Sequence, residues 1–103
     1  EGNYNTSPAW SPRGNRIAYE GRSGGRYQIF SIDAEGNNLL QLTFDNADNE
    51  SPSWSPSGRQ IVYSSKTLSR SRICIMNANG LNTRILHEAA TPLVMPAWSP
   101  RFK

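Results

Sequence analysis

Residues that could do chemistry are few, and one stretch holds most of them. Asp45-Asn46-Ala47-Asp48-Asn49-Glu50 gathers side-chain oxygens, the hard ligands that Ca2+ takes. The central glycine and terminal glutamate of an EF-hand loop are not at their spacing, so the stretch reads first as a polar loop, with Ca2+ binding as the alternative. One cysteine, Cys74, and one histidine, His87, cannot make a four-ligand zinc site. A Ser–His–Asp set could be drawn around His87, but no nucleophile-elbow sequence accompanies it. His87 reads instead as a solvated or hydrogen-bonded residue at a strand end. Gly24-Gly25 reads as a hairpin turn rather than a phosphate cradle. No enzyme activity and no cofactor are expected. Cys74 has no disulfide partner in the chain and reads as a small buried hydrophobe.

The elements that carry these residues are set by a repeat. Ser51-Pro52-Ser53-Trp54-Ser55-Pro56-Ser57-Gly58 copies Ser7-Pro8-Ala9-Trp10-Ser11-Pro12-Arg13-Gly14 nearly residue for residue. Pro96-Ala97-Trp98-Ser99-Pro100 begins the motif again, so Trp10, Trp54 and Trp98 recur with a period of 44 residues. A period in the forties with β-type sequence inside it is the signature of a propeller blade, and it makes the tryptophans structural first. Each unit holds four short strands. In the first they are Ala9-Trp10-Ser11, Arg16 to Glu20, Tyr27 to Ile32 and Leu39 to Thr43, separated by Pro12-Arg13-Gly14, Ser23-Gly24-Gly25 and Asp33-Ala34-Glu35-Gly36. Ser, Pro and Gly, or Asp and Gly, stand where type I turns want them. The second unit repeats this, with Ile61-Val62-Tyr63 for Ile17-Ala18-Tyr19 and Asn77-Ala78-Asn79-Gly80 for the Asp33 turn. It departs at Thr67-Leu68-Ser69, which replaces the glycine turn, and at His87, which replaces Thr43.

Ile61-Val62-Tyr63 and Ile73-Cys74-Ile75-Met76 are apolar at adjacent positions, and adjacent strand residues point to opposite faces. Both faces of each small sheet must then be covered, as stacked blades achieve. The expected fold is all-β: two four-stranded antiparallel propeller blades plus the innermost strand of a third. The units span 7–44, 51–87 and 95–100 within a partial propeller over 1–103. Phe102 stands where Gly14 and Gly58 stood, so the third unit is expected to end as a lone innermost strand at a natural C-terminus.

The 103 residues carry a net charge of +3 and are 36% hydrophobic. The basic residues are scattered without a run of five or six, which argues against a nucleic-acid partner. No apolar stretch approaches membrane-spanning length, and no signal peptide is visible. Two blades alone would leave apolar faces in water on both sides, so an isolated chain is expected to oligomerise, as a trimer or by domain swapping, or to be poorly soluble.

Just before each Trp strand lie Asn5-Thr6-Ser7, Asn49-Glu50-Ser51 and Leu93-Val94-Met95, equivalent by the period. In a propeller they converge on one mouth of the central channel. They vary while the flanking Pro and Trp recur, which suits positions that face a partner. Asn5, Thr6, Ser7, Asn49, Glu50, Ser51 and Val94 are therefore the candidate partner-binding residues, with a solvated rim as the plain alternative. Glu50 is expected to have no structural duty there, since Thr6 and Val94 occupy its equivalents. Asn5-Thr6-Ser7 and Asn49-Glu50-Ser51 also match the glycosylation sequon.

Pro-Xaa-Trp-Ser-Pro-Xaa-Gly, then Ile-Ala/Val-Tyr, then Ile-Phe-Ser-Ile-Asp-Ala-Xaa-Gly and Leu-Thr, resembles the repeat of the TolB family over essentially the whole chain. The resemblance implies a six-bladed propeller behind a smaller N-terminal domain, of which this chain would hold about the last third. It also implies a non-enzymatic periplasmic part of the Tol–Pal cell-envelope system, tied to cell division and protein transport. The implied partners are a peptidoglycan-associated lipoprotein of the Pal type and other Tol proteins, with no nucleic acid and no direct membrane insertion. Related repeats also occur in propellers that gate a separate hydrolase or peptidase domain. That is the alternative reading, beside a repeat fragment with no function of its own.

Overall fold

Short apolar runs broken by turn residues cannot build helices, and they fold into two antiparallel meanders. A computed structural model describes residues 8–90. The first sheet contains β1 (Ala9–Trp10), β2 (Arg16–Ser23), β3 (Arg26–Asp33) and β4 (Leu40–Gln41) in chain order. The second contains β5 (Asp48–Trp54), β6 (Gln60–Lys66), β7 (Ser71–Asn77) and β8 (Arg84–Ala89), again in chain order. The architecture is all-β and fits part of a propeller. The expected closing strand 95–100, with Trp98, lies outside the described residues.

The turns form as their residues dictate. The Gly14 N–H donates to the Ser11 carbonyl at 2.8 Å, and the Gly58 N–H to that of Ser55 at 2.9 Å. Both glycines have positive φ, 74° and 76°, a region that costs other residues strain.

β5 lies against β2 and β3, and the core forms between the sheets. Trp54, Ile61 and Met76 are cross-strand partners, as are Tyr63 and Cys74. They cluster with Ala18, Ile29 and Leu42 of the first unit. A bulky face of the second sheet thus packs on the face of the first that carries Ala18, Ile29 and Leu42. The indole N–H of Trp54 ties them by donating to the Ala9 carbonyl at 2.7 Å. Cys74 is buried, as the sequence leads one to expect, and that burial raises its thiol pKa.

Three expectations need correction. Trp10 is 57% exposed whereas Trp54 is 8% exposed. The bulky face that Trp10 shares with Ile17 and Ile32 points away from the second sheet, so the motif alone does not bury its tryptophan. The apolar faces are not open on both sides. On the far face of the second sheet Val62 is 0% and Ile75 5% exposed. The fourth strand is Leu40–Gln41 rather than Leu39 to Thr43. The Leu42 N–H still reaches the Ile29 carbonyl at 2.7 Å, but the Ile29 N–H turns to the Thr43 hydroxyl at 2.9 Å. A side-chain acceptor there replaces the backbone one and ends the ladder.

Candidate functional site

The rim residues sit where β5 starts, beside the end of β6. Asp48, Asn49 and Glu50 pair with Lys66, Ser65 and Ser64, and the register slips between Glu50 and Ser53. Ser51 lies in this bulge with φ +57°, a left-handed conformation uncommon outside glycine. Its N–H donates to the Glu20 carboxylate of β2 at 2.6 Å. A charge-assisted bond across the sheet boundary thereby fixes the bulge.

The three described rim residues take three environments. Asn49 points into the sheet interface and is 0% exposed. Its amide N–H2 donates to Gln28 Oε1 at 2.9 Å and to Asp45 Oδ1 at 2.6 Å. Gln28 Oε1 also accepts the Thr43 hydroxyl at 2.6 Å, and the Gln28 amide donates to the Asp45 carbonyl at 2.8 Å. Asn49 is therefore placed as a buried joint between blades, and its Oδ1 finds no partner among the described residues. Glu50 points the other way and pairs with Lys66 at 3.4 Å, while its carbonyl accepts the Ser64 hydroxyl at 3.2 Å. It has a local partner after all, because the antiparallel register brings Lys66 to its face. Ser51 is half-buried at the bulge. Asn5, Thr6, Ser7 and Val94 lie outside the described residues.

The carboxylates of the 45–50 loop diverge. Asp45 Oδ1 takes the Asn49 amide. Asp48 takes the Tyr27 N–H at 3.0 Å and faces Arg26 at 3.6 Å. Glu50 faces Lys66. Among the described residues no group of three or more His, Cys, Asp or Glu converges to hold a metal ion, and this geometry gives the Ca2+ alternative no support. His87 lies within β8 opposite Ile73 and is exposed.

Sequence reasoning missed Glu20 and Lys66. The available signal was Glu20 itself, an acid closing the otherwise apolar run Ile17-Ala18-Tyr19, where the second unit has Ser64.

A family model for the TolB beta propeller domain matches residues 1–102. Among solved structures, a putative TolB from Agrobacterium tumefaciens is similar with TM-score 0.71 and 25% identity, covering 79% of this chain and 32% of that one. TolB from Acinetobacter baumannii gives TM-score 0.67 and 24% identity, covering 80% of this chain and 21% of that one. The AtxE2 isopeptidase shares the fold at TM-score 0.65 and 16% identity, covering 78% of this chain and 18% of that one. The chain thus spans a third or less of each. No curated protein matches it.

Proposed function

The chain belongs to the TolB beta propeller domain family, and on that premise we propose that it is part of a non-enzymatic scaffold that receives a protein partner at the β5 rim. The partner is a peptidoglycan-associated lipoprotein of the Pal type, and the setting is the periplasmic Tol–Pal system. Its TolB-named structural neighbours support the reading. Among the described residues no helix is long and apolar enough to cross a membrane.

The observation that carries the site is the bulge at Glu50–Ser53, with Ser51 held at positive φ by Glu20. Bulges re-aim side chains and gather next to functional sites, and strained backbone persists where its surroundings over-determine it. Here the bulge follows Glu50 directly, and Glu50 and Lys66 present paired opposite charges beside it, while Asn49 stays buried in the joint. A docking partner can exchange that pair for its own donors and acceptors. The isopeptidase likeness, at 16% identity, is a likeness of fold and gives the hydrolase-gating alternative no weight here.

The test is calorimetric titration of the intact protein with the soluble domain of its candidate lipoprotein. Glu50→Ala should weaken binding by roughly 1–3 kcal/mol if the carboxylate is buried on docking. Binding equal to wild type would remove Glu50 from the site.

A further inference from the structure

The end of the blades opposite the rim carries a second feature. The turns after β1, β5 and β7 enclose an open groove of about 680 Å³ lined by Arg13, Ser57, Arg59, Asn77 and Asn79. The first sheet supplies Arg13 and the second the rest. Arg13 reaches across because its stem lies over the neighbouring turn: a Cβ on Gly58 would stand 3.2 Å from Arg13 Cγ and Cδ.

The charges in this groove have no acidic partner among the described residues. Among the other described basic side chains, all but Arg84 on exposed β8 have partners. Arg16 donates to Ser31 and the Asn38 carbonyl, Arg26 faces Asp48, Lys66 faces Glu50, and Arg70 and Arg72 face Glu88. Arg13 and Arg59 are exposed and enter no ion pair among the described residues. No acidic side chain lines the groove among those residues. Two guanidiniums in one groove repel each other and favour an anion there, and guanidinium forks match carboxylates in geometry.

We infer that this groove binds a carboxylate-bearing segment of another protein, with Arg13 and Arg59 pairing its acidic side chains and Ser57, Asn77 and Asn79 bonding its backbone. Asparagine amides can both donate to and accept from a peptide backbone. Two charges flanked by neutral polar groups suit a short acidic stretch, whereas a nucleic acid needs a longer basic track. This surface goes beyond the rim reading, and failure of one leaves the other standing.

The test is fluorescence anisotropy of a fluorescein-labelled hexaglutamate peptide titrated with the intact protein. Wild type should bind, with affinity falling as salt rises. Arg59→Gln and Arg13→Gln should each weaken binding roughly tenfold, the scale of a lost charge-assisted bond. Arg59→Lys should keep most of it. Arg84→Gln, an equal charge change on exposed β8, should leave binding unchanged. Thermal melts check folding. If Arg13→Gln melts early because its stem packs on Gly58, Arg59→Gln alone decides. The inference is overturned if Arg59→Gln binds like wild type or if Arg84→Gln loses as much. Equal competition by inorganic phosphate or by a single-stranded oligonucleotide would also overturn it, marking a small-anion or nucleic-acid site.

Discussion

The two sheets are the same sequence template folded twice, and they differ most where one has a described neighbour and the other has none. Trp54 joins the core cluster with Ala18, Ile29 and Leu42 of the first unit and bonds Ala9. Trp10, in the same motif, is 57% exposed. Gly80 nestles against Leu42 of the preceding unit, while its equivalent Gly36 has open space around it. Thr43 ends a two-residue β4 by capping Ile29, while His87 stands inside a six-residue β8. In a repeat fold the motif sets a residue's direction, and the adjoining unit sets its burial and energetic weight.

The largest way to break this comparison is at the tryptophans. In the 103-residue chain Trp54→Ala should cost about 3–5 kcal/mol by emptying a core site. Trp10→Ala should stay within about 1 kcal/mol, as exposed positions do. Denaturant melts of both variants decide it, and equal losses would contradict the asymmetry.

The paired glycines sharpen it next. Gly36→Ala and Gly80→Ala both force alanine to a positive φ, 88° and 89°, at about 1–2 kcal/mol each. At Gly80 the new Cβ would also stand 3.1 Å from the Leu42 carbonyl oxygen, so this change should cost about 1–3 kcal/mol more. The same melts measure the gap.

Thr43→Val leaves the Ile29 N–H without its acceptor and takes a donor from Gln28, a loss of about 1–3 kcal/mol for buried groups. His87→Val, at the equivalent exposed position, should change stability by no more than about 0.5 kcal/mol. Amide exchange at Ile29 reads the first effect directly.

Smaller still is the rim ion pair. Glu50 and Lys66 are partly exposed, so Glu50→Ala should cost no more than about 1 kcal/mol. The smallest contrast lies in the turns. Asp33 accepts the Asn37 N–H at 2.8 Å and the Glu35 N–H at 3.1 Å. Its pKa is lowered from 3.8, first by the Asn37 bond and then by Asn38. A depressed carboxylate stabilises the fold above its unfolded pKa, and this contribution fades as pH falls through the folded value. Below pH 3.8 the 33–37 turn should loosen while the Asn77 turn, with no carboxyl at that position, holds. Exchange rates of Asn37 and Leu81 followed down the pH scale compare them, and parallel loosening would refute it.

The period, the strand order and the turns were legible because each rests on local chemistry: apolar pairs in short runs, proline fixing φ, glycine at positive φ. The open face of Trp10 was not, since burial depends on a neighbouring sheet and no described sheet lies against that face. Nor was the split at the rim. Asn49 and Glu50 are adjacent and similarly polar, yet strand alternation sends one into the interface and the other toward Lys66. The bulge at Ser51 depends on Glu20, whose place in the other sheet no local pattern reveals.

The central claim is that the β5 rim is where a protein partner docks. Deuterium exchange of the intact protein, with and without the soluble domain of its candidate lipoprotein, tests it most directly. Protection should concentrate at Asp48 to Ser51 and at the neighbouring hairpin from Lys66 to Ser71. Binding that leaves those amides unprotected and protects only the β8 edge or the turns at the opposite end would contradict the claim.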